Sequence, residues 1–124
     1  MKRFIALLLV VVIAATALSI TVFAGSNQIG GYINGKQWTA RHVVDDTYAD
    51  CTILYDGNSD VSVRMITAYR KIGTNSFNYD IQNDRAYKCA GCTFSLGFGW
   101  KITSSSATVL VINGGTSQTI YTTP

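Results

Sequence analysis

Polar and apolar residues alternate with a period of two along most of this chain. No window sustains the i, i+3, i+4, i+7 spacing of a helix. Successive side chains of a strand point to opposite faces, so such alternation demands half-buried strands. Phe77, Tyr79 and Ile81 share one side while Asn78, Asp80 and Gln82 share the other. Val61, Val63, Met65 and Tyr69 alternate with Ser62, Arg64, Ala68 and Arg70. Phe94, Leu96, Phe98, Trp100 and Ile102 form the longest stripe, which reads as a central core strand. Glutamate, a good helix former, is absent.

Turn residues separate these runs. Asn34-Gly35 between "GGYI" and "KQWTARHVV" is the strongest signal for a two-residue hairpin, because both residues tolerate positive φ. "DGNS" at 56–59, "GTNS" at 73–76, "QND" at 82–84 and "NGG" at 113–115 supply the other breaks. About eight short strands result, which predicts an all-β chain folded as a small antiparallel β-sandwich of immunoglobulin-like size. Ser95, Gly97 and Gly99 leave the reverse of the aromatic stripe bare. A tight bend or a strand packed on that side accounts for them, with a groove floor as the alternative.

The start of the chain sets the expected compartment. Met1-Lys2-Arg3, an apolar run from Phe4 to about Val22, and the small-residue exit Val22-Phe23-Ala24 match the three parts of a secretory signal peptide. Residues 1–24 are therefore expected to be removed, leaving a secreted domain of residues 25–124 with no stable membrane anchor. Without Lys2 and Arg3 the charge is near neutral, and no basic stripe remains to suggest nucleic acid.

Cys51, Cys89 and Cys92 should then oxidise, leaving one of the three unpaired. A bridge from Cys51 to Cys89 or Cys92 closes a loop of about 40 residues and contributes roughly 4 kcal/mol, whereas Cys89–Cys92 contributes roughly 2 kcal/mol. The long bridge is favoured, with its partner left open. Zinc held by the three thiols and His42 is the competing reading, weakened by the single C-x-x-C. Redox catalysis would need a thiolate at a helix start, and no helix is predicted. Tyr87-Lys88-Cys89 resembles the tyrosine corner of immunoglobulin-like domains, which implies a sandwich and a capping role for Tyr87.

Asp56, Asn58 and Asp60 stand at the first, third and fifth positions of a calcium loop. Val61 and Thr67 occupy the places for glycine and glutamate, so a polar turn explains the same residues. His42 with Asp45 or Asp46 could serve a serine nucleophile, but no nucleophile elbow is present. His42 should share a packed face with Trp38, Ala40 and Val44. No catalytic residue, cofactor or resident metal is expected. Trp38, Tyr48 and Tyr55, if exposed, would form a platform for a glycan or protein, since aromatics offer rigid contact area with a polar handle.

The chain is thus expected to be a secreted, non-enzymatic β-domain that binds a glycan, a cell-envelope component or a protein. A bacteriocin or toxin-like antibacterial protein is the alternative. A third reading is a subunit of an extracellular filament or coat, joined as an oligomer through the odd cysteine or an edge strand.

Overall fold

The computed structural model describes residues 25–115 and 117–124, so the expected leader lies outside the described residues. Eight strands follow one another: β1 (Ser26–Ile33), β2 (Lys36–Val44), β3 (Tyr48–Tyr55), β4 (Asp60–Lys71), β5 (Phe77–Tyr87), β6 (Cys89–Ser95), β7 (Trp100–Val111) and β8 (Gln118–Thr122). They form two antiparallel sheets of four, in the orders β1-β2-β3-β6 and β5-β4-β7-β8. The fold is a β-sandwich, as the alternation predicts.

Local chemistry sets the register. Asn34 and Gly35 both take positive φ, 53° and 75°, and close β1 onto β2 at the Ile33–Lys36 pair. That is a type I′ turn, whose twist matches its strands. The core lies between the sheets. Ala40, Val44 and Ile53 face Val61, Val63, Met65, Ile102 and Val109, all buried. Each large apolar side chain so removed from water stabilises the fold by about 1.5–3 kcal/mol. At one open side Asn27 laces the sheets together, its Nδ2 donating to the Tyr121 carbonyl at 2.6 Å and to Thr122 Oγ1 at 3.1 Å.

Three expectations about the path of the chain are corrected. The "QND" segment at 82–84 is no turn but runs through the middle of β5. The aromatic stripe from Phe94 to Ile102 is not one central strand: β6 ends at Ser95, β7 begins at Trp100, and β6 lies at the edge of its sheet. Gly99, at φ 90°, turns the chain from one sheet to the other, and Phe98 at that corner is fully exposed. Nothing approaches the missing side chain of Gly97, so the bare positions mark a bend and not a groove floor. The inner part of the stripe still packs, with Tyr69 against Phe94 and Trp100 at ring separations of 5.3 and 5.8 Å.

The third correction concerns Tyr87. It is exposed, and its hydroxyl donates to Asn58 Oδ1 at 3.0 Å instead of to backbone. Tyr55 does the work expected of a corner tyrosine: buried, it donates to the Ile33 carbonyl at 2.9 Å. Gly57 permits this, because a Cβ there would overlap the Tyr55 ring.

Candidate functional site

Strand β5 shapes the outer face of its sheet. Its alternation is as predicted, but its apolar row faces outward. Asp80, Gln82 and Asp84 stand on the inner side, opposite Thr67, Met65 and Val63 of β4. Phe77, Tyr79 and Ile81 point outward and are exposed by 53, 68 and 53 per cent. The reason lies at the neighbouring edge. β6 ends its sheet there, so its outward amides need acceptors. Asp84 Oδ2 accepts from the Gly91 amide at 2.9 Å. Asp84 directed inward at this rim covers the edge, whereas Asp80 Oδ2 is buried there without a hydrogen-bond partner, and the apolar row is left facing water.

That row belongs to a continuous surface, the outer face of the β5-β4-β7-β8 sheet. Ladder partners place Ile81, Ile66, Ser106 and Tyr121 in one row across it. Tyr79, Ala68 and Ser104 make the next row. Two shallow grooves run over this face. One, about 190 Å³, has Tyr79 and Tyr121 at its sides and Ala68, Ser104 and Ser106 on its floor. The other, about 320 Å³, mixes Ser62, Arg64, Asn83 and Thr108 with Val63 and Leu110, and Asp84 and Arg85 also line it. Exposed aromatics thus cluster beside polar groups on this face, which makes it the candidate interaction surface.

The residues singled out from sequence fall elsewhere. Tyr55 is buried, so it offers no platform, and Trp38 is half-buried against the core. Tyr48 donates to Asp50 Oδ2 at 3.1 Å on the outer face of the other sheet. The structure does not bring the three together. Asp60 is held by Arg85 Nε at 3.1 Å, and Asn58 accepts from Tyr87, so two of the three calcium-loop candidates, Asp56 being the third, are already engaged. Among the described residues no three His, Cys, Asp or Glu side chains could share a metal ion.

The cysteines resolve into two environments. Cys51 and Cys92 are buried and lie opposite one another in the β3–β6 ladder, while Cys89 is exposed. All three thiols are free. Cys89 and Cys92 are an odd number of residues apart on one strand, so their side chains leave the sheet on opposite faces. A Cys51–Cys89 bridge is therefore incompatible with this register, as is a zinc site that uses both. Burial pushes the Cys51 thiol up to about 12, aided by Cys92 and Asp50. Burial also raises Cys92, with Asp84 the next cause.

His42 shares its packed face with Ala40 and Val44, as expected. Its Nε2 lies 2.9 Å from Ser105 Oγ, which in turn lies 3.1 Å from Thr67 Oγ1. This chain of polar groups links the two sheets inside the core. It resembles a base and nucleophile only on paper. His42 and Ser105 are sealed from solvent, and no carboxylate hydrogen-bonds Nδ1 to orient it. Asp45 instead accepts from the Thr47 and Tyr48 amides in the β2–β3 turn, and Asp46 faces Lys101.

No protein-family model, curated protein or solved structure matches this chain. The site therefore rests on its own geometry.

Proposed function

We propose that the protein is a secreted, non-enzymatic β-domain that binds a glycan outside the cell through the outer face of the β5-β4-β7-β8 sheet. The single observation behind this reading is the outward row Phe77, Tyr79 and Ile81, with Tyr121 across the groove, all exposed. Keeping such side chains in water forgoes about 1.5–3 kcal/mol each, a cost that burial against a ligand would recover. Tyrosines flanking a floor of serines suit sugar rings, which present both C–H faces and hydroxyls.

Export belongs to the same reading. In oxidising surroundings the bridge would join Cys51 to Cys92, the pairing that keeps both sulfurs on the inner face, and leave Cys89 free. The secreted form is then expected to begin at Gly25 and to be lighter than the reduced chain by two hydrogens. Glycan-array binding that is lost in Tyr79→Ala and kept in Trp38→Ala supports the platform. Binding lost only in Trp38→Ala would move the site to the other sheet.

A further inference from the structure

We infer that the ligand of this face is an acidic glycan, with sugar rings against Tyr79 and Tyr121 and a carboxylate or phosphate group at Arg64. The inference rests on the reading of the face as a glycan platform and specifies its substrate class.

Three arginines, Arg64, Arg70 and Arg85, project from β4 and β5 on this side of the sheet. Arg85 is paired with Asp60, a carboxylate on the same face. Arg64 is exposed, and no carboxylate lies within salt-bridge distance of it among the described residues. It stands between Asn83 of β5 and Thr108 of β7 in the 320 Å³ groove. The two carboxylates of β5, Asp80 and Asp84, point to the inner side, and Asp84 is occupied by the Gly91 amide. The reversal that exposes the aromatics thus also turns the β5 carboxyl groups inward, although Asp84 still lines this groove and Asp60, paired with Arg85, stays on the face. A planar guanidinium flanked by an amide and a hydroxyl matches a bidentate oxyanion.

The spacing fixes the ligand's size. Arg64 and Ala68, whose ladder partner is Tyr79, are four residues apart on β4, about 13 Å along the strand. One sugar ring cannot reach both, so an oligosaccharide segment is required. A second copy of this chain fits less well. A two-fold axis along β4, or across its middle, would oppose Arg64 and Arg70 to themselves or to each other, a like-charge juxtaposition either way.

The test is calorimetric titration of the purified protein with polygalacturonate, phosphomannan and neutral mannan at low ionic strength. At least one acidic polymer should bind about tenfold or more tightly than mannan, the size of effect expected of a charge-assisted contact. Which acidic polymer binds identifies the oxyanion as carboxylate or phosphate. Arg64→Gln should abolish the preference while leaving the fold intact by circular dichroism. Lys36→Gln, at an exposed turn of the other sheet, should leave it unchanged. Equal affinity for mannan overturns the acidic class but keeps the glycan platform. No binding of any polymer, or a dimer in sedimentation that excludes all three, overturns both. Equal losses in Arg64→Gln and Lys36→Gln reduce the preference to bulk charge and overturn the assignment to Arg64.

Discussion

Cys51 and Cys92 face each other across a hydrogen-bonded pair of the β3–β6 ladder. The Tyr55 amide donates to the Lys88 carbonyl and the Leu96 amide to the Thr47 carbonyl. Both pairs lie an even number of residues from Cys51–Cys92, so this pair is also of the wide type. Its Cβ atoms are then about 5.5 Å apart, against about 3.5–4.5 Å in a disulfide. Closing the bridge requires the two strands to draw together locally.

The thiols should therefore differ sharply in reactivity. Iodoacetamide at pH 8 is expected to label Cys89 quickly in the folded, reduced protein and to spare Cys51 and Cys92, which are buried and have raised pKa values. Peptide mapping that finds Cys92 labelled as fast as Cys89 would contradict the β6 register.

Acid should weaken the sandwich through His42. Burial lowers its pKa from 6.5 to about 4, against Asp50 and the Ile120 carbonyl, which favour the charged form. The unfolded chain takes up this proton near pH 6.5, the folded chain only near pH 4. The contribution is full above pH 6.5 and is lost as pH falls through that interval, by on the order of 3 kcal/mol. Urea midpoints at pH 7.5 and 4.5 should differ accordingly, and the difference should shrink in His42→Gln. An equal acid response in that variant rejects the assignment.

The sidedness of β5 can be read from stability alone. Tyr79→Ala and Ile81→Ala should each change stability by about 0.5 kcal/mol or less, as exposed sites do, whereas Ile53→Ala should cost about 2–5 kcal/mol. Thermal melts of the three variants suffice. A large loss in Tyr79→Ala would return that row to the core.

Asp84 guards an edge. Asp84→Ala should cost about 0.5–1.5 kcal/mol, the net worth of its hydrogen bond to the exposed Gly91 amide. It should also promote association through the uncovered β6 edge, visible as concentration-dependent light scattering. Monodisperse behaviour at high concentration would remove the edge-guarding role.

Much of this architecture was legible in the residues. Asn34-Gly35 specifies its hairpin because few other pairs accept two positive φ values, and Val61, Val63 and Met65 are inward as their alternation requires. Period two, however, defines two faces without saying which is inside. Phe77, Tyr79 and Ile81 look like core by composition, and only the neighbouring edge of β6 reverses them. The cysteine geometry was partly accessible, since C-x-x-C on one strand must split its sulfurs between faces. Nothing at Lys88 announced its left-handed backbone, φ 65°, a conformation that lysine rarely adopts. The fall of the stripe into two strands was signalled by Gly97 and Gly99, which mark the corner.

Lys88 alone separates β5 from β6, and it is pinned on both sides by its amide to Ser59 and its carbonyl to Tyr55. The crossing between sheets has no slack to absorb a change in length. One codon inserted there would shift β6 by a single position and invert it, turning Cys89 inward and Cys92 out. Among length variants of this gene, residues should be gained or lost freely at the 73–76 turn and almost never at position 88.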